Sequence, residues 1–270
     1  IQTTVGFNLS HNKNMLRKTY NGEDLNDKVL GRPVYGIYTF KDEGIVQKEE
    51  DIPMYPNASG KQIPLYFQSI NNPLRVGGRK IKDQNYDGVI DDKDLYYAGS
   101  TLPAVYGGLN SHLEWKGLSF DVLFSYTISR KVMNMYKNSA FTFTKDFGVI
   151  MNYFHANDFW TTSNRDAKYP SLEFADKDYV GQFDGNVDSN IENISFLRLK
   201  QLVIGYQLPK NWLKGSFIKD ANIYLSGENL FLITNYSGVD PEVINPYSGK
   251  DDGTQYPLNR KVTLGLNLKF

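Results

Sequence analysis

The 270-residue sequence predicts an all-β chain, specifically the wall of an antiparallel transmembrane β-barrel. Three observations carry that expectation. Apolar residues recur at every second position in several separate segments, a tight Gly-containing connection contrasts with long polar ones, and aromatic residues make up 14% of the chain. Tyr, Phe and Trp favour both pleated strands and membrane interfaces. No apolar run reaches the roughly 18 residues of a spanning helix, but barrel strands alternate and keep hydropathy averages low, so this does not count against a barrel.

The last residues give the clearest strand. Val262, Leu264, Leu266, Leu268 and Phe270 alternate with Thr263, Gly265, Asn267 and Lys269, which leaves one face apolar. Val5, Phe7 and Leu9 repeat the pattern near the start. Leu118, Phe120, Val122, Phe124, Tyr126 and Ile128 repeat it again, broken only by Leu123. Just upstream, Val105, Leu109, Leu113 and Trp115 share a face opposite Tyr106, Asn110, His112 and Glu114, and only Lys116-Gly117 intervenes. A two-residue loop with Gly makes a tight hairpin and sets Trp115 beside Leu118 on the apolar face. Pro33 to Lys41, Phe196 to Leu208 and Ala221 to Leu232 complete a set of seven strands. The mixed alternation in Phe196 to Leu208 points to a β-bulge or to partial burial on both faces. Strands of about 9 to 13 residues suit a tilted membrane crossing better than a soluble sheet, whose strands average about five or six.

The connections sort by length. Those near 42–102, 129–195 and 233–259 are long and rich in Gly, Asp, Asn and Tyr, whereas Lys116-Gly117 is minimal. Short turns on one side and long loops on the other are the outer-membrane arrangement. With Lys116-Gly117 on the periplasmic side, strand parity places the three long loops outside, and the 11–32 connection and Phe270 inside. The 209–220 connection is longer than a tight turn and stands as an exception. Seven strands leave open edges and close no transport lumen, so this reading needs the remainder of a longer chain. The start at Ile1, with neither Met nor signal peptide, fits a sequence cut from a longer polypeptide.

Composition narrows the function classes. Lys plus Arg and Asp plus Glu number 30 each, so no global field draws the chain to nucleic acid, and no nucleic-acid partner is expected. The absence of cysteine removes disulfides and thiolate chemistry. His11, His112 and His155 have no metal or triad spacing, and Asp91-Asp92 and Asp251-Asp252 sit in turn-like sequence, so the chain is not read as an enzyme. A secreted hydrolase ranks last among the alternatives. The stronger competitor is a soluble calcium-dependent carbohydrate-binding β-sandwich, which alternates in the same way. Loop asymmetry, strand length and the terminal Phe stand against it.

One local motif carries chemistry. Asp83-Gln84-Asn85-Tyr86-Asp87-Gly88-Val89-Ile90-Asp91-Asp92-Lys93-Asp94 fits a calcium loop. Asp83, Asn85, Asp87, the Val89 carbonyl and Asp94 offer oxygens, with Asp91 direct or through water, while Gly88 makes the sharp turn and Ile90 anchors the loop. The twelfth position is Asp rather than bidentate Glu. The competing reading is an acidic surface turn, since Asp, Asn and Gly crowd turns in any case. Neither flank reads as a helix, so Ca2+ here would brace a loop rather than act as a sensor. A second segment, 136–183, carries Phe141, Phe143, Phe147, Tyr153, Phe154, Trp160, Tyr169, Phe174 and Tyr179. Such rings stack on sugars or peptides, but packing within the loop is the expected role for most, with one or two at an entrance.

Three features together resemble the SusC/RagA family of TonB-dependent transporters. They are the Asp83 to Asp94 loop, the pair Tyr106-Gly107-Gly108-Leu109 and Glu114-Trp115-Lys116-Gly117-Leu118, and the ending Tyr256-Pro257-Leu258-Asn259-Arg260 to Leu264-Gly265-Leu266-Asn267-Leu268-Lys269-Phe270. Phe196-Leu197-Arg198-Leu199-Lys200, Gly205-Tyr206-Gln207-Leu208-Pro209 and Gly227-Glu228-Asn229-Leu230-Phe231 add to the likeness. The resemblance implies the C-terminal part of a barrel of about 22 strands with a plugged lumen. It implies import of oligosaccharides or peptides across the outer membrane, with a SusD-like surface lipoprotein as partner and TonB-ExbB-ExbD as energy source. The plug and the TonB-contacting segment belong to the family's N-terminal part, outside this sequence. The last strand with Phe270 resembles the signal read by the barrel-assembly machinery.

Overall fold

The computed structural model describes residues 1–25, 28–135, 155–175 and 186–270. Six antiparallel strands form its main sheet: β1 (Gln2–Ser10), β2 (Val105–Trp115), β3 (Leu118–Asn134), β4 (Ile191–Gln207), β5 (Asp220–Glu228) and β6 (Lys261–Lys269). They lie side by side in chain order. The described residues contain no α-helix. Lys116 and Gly117 both adopt positive φ, 49° and 85°, as a two-residue hairpin turn of matching twist requires. Trp115 pairs with Leu118 in the register expected. At 17 residues each, β3 and β4 run well past the ends expected at Ile128 and Phe196. A bulge at Lys200 moves the partner from Gln201 opposite Leu123 to Leu199 opposite Phe124. It falls inside the segment whose mixed alternation pointed to one. Beyond β5, Asn229 at φ 51° breaks the strand, and Leu232–Thr234 resumes pairing with β4.

The register gives the sheet two unlike faces. Thr3, Leu113, Phe120, Ile204, Leu225 and Leu264 align in one row. Trp115, Leu118, Tyr206, Ile223 and Leu266 align in the next row on that face. On the opposite face, one residue along from the first row, runs Thr4, His112, Asp121, Val203, Ser226 and Thr263. The apolar side chains do not form a core. Val5, Phe7, Leu9, Val262, Leu264 and Leu266 on the edge strands are 58% to 75% exposed. A continuous apolar face of this extent marks a membrane or protein contact rather than a soluble surface.

The buried core lies off one end of the sheet, in the connection between β1 and β2. Val46, Ile52, Leu65, Phe67, Leu74, Ile81 and Ile90 pack there with Val187 from the connection between β3 and β4. Short pairings hold this lobe, among them Asp42–Ile45 with Arg79–Ile81 and Met54–Pro56 with Gln62–Pro64. Here the structure corrects the strand count. Within the expected Pro33 to Lys41 strand, only Gly36–Thr39 is extended, and it pairs with Tyr96–Ser100 inside the lobe, not with the wall. Its burial alternates because it crosses a small core, which gives the same sequence signature as a barrel crossing. The main path therefore has six wall strands, and parity changes with it. Ser10 pairs with Tyr106, so residues 11–104 leave and re-enter the sheet at one rim. The 11–32 connection thus lies on the same side as 42–102, against the parity expectation.

Candidate functional site

The polar face and the rim above it hold the arrangements with functional potential. Arg198 lies opposite Ser125 in the ladder, on the polar face just before the Lys200 bulge. Its guanidinium binds Asp240 and Glu242, which the β5–β6 connection carries back against the sheet. Lys200 Nζ reaches Glu242 at 2.8 Å. Arg198 and Asp240 are each 3% exposed, so the pair is fully withdrawn from solvent. Asp240 also accepts the backbone N–H groups of Glu242 (3.0 Å) and Leu258 (3.1 Å). A buried pair of this kind fixes geometry, because removal of one partner strands the other.

A second buried arginine, in β3, joins two connections. Arg130 donates to the carbonyls of Thr101 (2.9 Å), Pro241 (3.4 Å), Ile244 (3.2 Å) and Asn245 (3.2 Å). Nearby, Val132 and Ile194 from the strand extensions pack with Tyr236 and Ile244, and Tyr236 donates to Asp251. Beside Arg130 opens a cavity of about 300 Å³ lined by Tyr106, Thr127, Phe196 and Glu242. A larger recess of about 820 Å³ lies in the loop layer, with Tyr35, Tyr38, Tyr247, Asn186 and Lys250 on its walls. Aromatic rings with a few polar groups suit stacking and hydrogen bonding of polar cargo.

Of the contacts that hold the lobe to the β3–β4 connection, one carboxylate gathers three donors from the lobe. Asp188 accepts from Lys41 Nζ (2.6 Å), the Asp42 N–H (2.9 Å) and the Tyr96 hydroxyl (2.7 Å). Burial works to raise its pKa, but these three donors overcome that and hold the carboxyl below its ordinary 3.8. Arg79 and Ser189 close the cluster around Asp42.

The candidate calcium residues form a hydrogen-bonded loop. Gly88, at φ 82°, makes the turn, and Ile90 at 2% exposure anchors it in the lobe core, as expected. Asp83 accepts the N–H groups of Tyr86 (2.6 Å) and Gly88 (2.8 Å). Asp94, fully buried, accepts those of Gln84 (2.8 Å) and Asp91 (2.9 Å). Asn85 and Asp87 bond each other at 2.9 Å, and Asp91 caps the following turn through the Lys93 N–H. Val89 donates its N–H to Asp87. With so many carboxylate oxygens turned to backbone N–H groups, no three acidic or His side chains converge on a metal position among the described residues. Burial is the main cause raising the Asp94 pKa, and the neighbouring Asp83 and Asp91 charges act in the same direction. Among the described residues, Lys93 pairs with the loop's carboxylates, at 3.5 Å from Asp91 and 3.9 Å from Asp87.

Of the aromatic segment, Trp160, Tyr169 and Phe174 are buried, and Trp160 donates to Gln47 at 2.9 Å. These three pack the loops, which was the expectation for most of the set. Phe141, Phe143, Phe147, Tyr153, Phe154 and Tyr179 lie outside the described residues. His112 contacts Asp121 and Glu114 on the polar face, and His11 contacts the Ala104 carbonyl. Sequence reasoning missed Arg130, Arg198, Asp240, Glu242 and Asp188. Two cations inside a strand pattern, Arg198 and Lys200, were the only available signal.

The two-faced sheet with its loop-laden rim matches known proteins. No family model matches the chain. TonB-dependent receptor P26 of Formosa agariphila is 32% identical over 209 residues, covering 74% of this chain and 20% of that protein. Together, fold and sequence define a β-barrel segment of the TonB-dependent receptor class. TonB-dependent receptor SusC of Bacteroides thetaiotaomicron is 31% identical over 189 residues, 70% of this chain and 17% of that protein. The fold also superimposes on a structure of the RagAB peptide importer in an open-open state, with TM-score 0.64 and 24% identity over 99% of this chain and 26% of that one. Within the class, the chain belongs with the SusC-type TonB-dependent receptors. It spans between 17% and 28% of the length of the curated relatives it matches. Those relatives carry the name TonB-dependent receptor.

Proposed function

We propose that this chain forms part of an outer-membrane barrel that imports oligosaccharides or peptides, with a SusD-like lipoprotein at the surface and TonB-ExbB-ExbD as energy source. The observation that carries the reading is the sheet itself. Its apolar side chains face outward, exposed on the edge strands and largely half-buried among their neighbours on the central ones, while His112, Asp121, Ser226 and Thr263 line the other face. A wall between lipid and a wet lumen needs that division. The rim bearing residues 11–104 then faces outside, and the Lys116-Gly117 turn faces the periplasm. Loops fixed by Arg130, Arg198 and Asp188 frame the recesses where cargo is held.

The Asp83–Asp94 loop is proposed to bind Ca2+ as a brace of that rim. Support comes from the order of its oxygen donors, the Gly88 turn and the buried Ile90 anchor. The import reading is tested on the full-length protein from its source cells. The import reading expects a polypeptide far larger than 30.8 kDa, extracted from the outer membrane only by detergent, that brings a lipoprotein with it. Its deletion should abolish uptake of a labelled glycan or peptide. A free soluble species of this size would overturn the reading in favour of a soluble binding module.

A further inference from the structure

The Pro209 to Asp220 connection is too long for a tight turn, and its chemistry supplies a reason. We infer that this turn, with the neighbouring Lys116-Gly117 hairpin, is a docking site for anionic phospholipid headgroups of the periplasmic leaflet. The inference rests on the barrel reading and its sidedness. The turn is ordered: Lys210–Trp212 form a short 3-10 segment, and Ser216 closes a further turn on the Leu213 carbonyl at 3.1 Å. Trp212 and Phe217 are nevertheless 71% and 78% exposed. Phe217 stacks on Phe270 with ring centroids 5.5 Å apart. Phe270 continues the alternation of Leu264, Leu266 and Leu268, so this stack sits at the foot of the apolar face.

Charge completes the pattern. Around this rim stand Lys116, Lys210, Lys214, Lys219 and Lys269 against only Glu114 and Asp220, and Asp220 is bound by Gln207. Gln207 donates its backbone N–H to Gly117 at 2.8 Å, which makes the two turns adjacent. Lys116 Nζ lies 5.5 Å from the centre of the Trp115 ring, an aromatic that shares the apolar face with Leu118. At the opposite rim the balance reverses. Among the described residues, the connections 11–104, 129–195 and 229–260 hold 19 Lys and Arg against 21 Asp and Glu. Rings at the depth of the interface and ammonium groups just beyond it match a leaflet of anionic headgroups. Neither a soluble turn nor a plain tight turn needs three exposed hydrophobes among lysines.

The test uses the delipidated full-length protein in detergent, with phosphatidylglycerol or phosphatidylcholine added and retained lipid read by native mass spectrometry. Lys219 is left intact because its ammonium holds the Phe270 carbonyl at 3.2 Å. Wild type should retain phosphatidylglycerol over phosphatidylcholine. The variant K116Q/K210Q/K214Q should lower phosphatidylglycerol retention by about tenfold to a hundredfold, given roughly a fivefold contribution per lysine near an anionic surface, and leave phosphatidylcholine unchanged. K13Q/K61Q, on the far rim, should change neither. Heat-modifiable mobility confirms that each variant is a folded barrel. Should the triple variant misfold, salt serves instead, because added salt must weaken phosphatidylglycerol retention in wild type and spare phosphatidylcholine. Equal retention by the folded triple variant, or no lipid preference in wild type, overturns the docking site alone. A protein that stays monodisperse without detergent overturns the barrel reading beneath it.

Discussion

Leu264 offers the sharpest energetic test of the two-faced sheet. It pairs with Leu225 in the middle of β6 and is 75% exposed, so within the chain it makes little packing to lose. If lipid covers it, full burial of a leucine is worth about 1.5–3 kcal/mol, and three quarters of that leaves Leu264→Ala about 1–2 kcal/mol less stable. Leu264→Arg adds the cost of a guanidinium near the bilayer midplane, about 2–4 kcal/mol, for a total of about 3–6 kcal/mol. Thr263→Arg, one residue away on the polar face, should stay within about 1 kcal/mol of wild type. The assay is guanidinium unfolding of the full-length protein in phospholipid vesicles, read by heat-modifiable mobility. Were this side chain left in water, Leu264→Arg would stay within about 0.5 kcal/mol. Such a result, or an equal cost at Thr263 and Leu264, would refute the assignment of the faces.

Arg198→Ala should strand the buried Asp240 carboxylate at a cost of about 3–5 kcal/mol, seen as at least a hundredfold faster amide exchange across 237–258, while R198M/D240L recovers most of the protection. Unchanged exchange in Arg198→Ala would show that the pair does not hold the loop. Asp188 titrates below its ordinary 3.8 in the folded protein, so its contribution is complete above that value and is lost as pH falls through the lower folded pKa. Protease resistance of the 42–102 lobe should therefore be flat from about pH 5 to 8 and fall only at more acidic pH, whereas Asp188→Asn should loosen the lobe throughout; a loss already at neutral pH in wild type would contradict the clamp. For the acidic loop, Ca2+ should protect 83–94 from proteolysis in wild type and not in D83A/D87A, with chelator reversing the effect. Identical digestion with and without chelator would remove the brace.

Much of the wall was legible in the sequence because one physical pattern repeats there. Period-two alternation located β1, β2, β3 and β6, the Lys116-Gly117 turn fixed the register of Trp115 against Leu118, and the lapse in alternation before Leu208 foretold the Lys200 bulge. The same pattern misled at Pro33 to Lys41, since a short strand crossing a small lobe core alternates just as a membrane strand does. The extensions of β3 and β4 were hidden for the opposite reason. Arg130, Val132 and Met133 are all buried, so the polar and apolar phases merge where loops cover both faces. The rim clusters were least legible, because Arg198 meets Asp240 across 42 residues and Arg130 meets Ile244 across 114, distances at which local sequence carries no pairing signal.

The most direct measurement of the central claim is a single-cysteine scan from Val262 to Lys269 in a cysteine-free background of the full-length protein, carried out in the outer membrane of intact source cells. The account expects a period of two: Thr263, Gly265, Asn267 and Lys269 labelled by a water-borne maleimide, and Val262, Leu264, Leu266 and Leu268 labelled only by a lipid-soluble one. Uniform labelling by the water-borne reagent, or none that alternates, would contradict a wall between lipid and lumen.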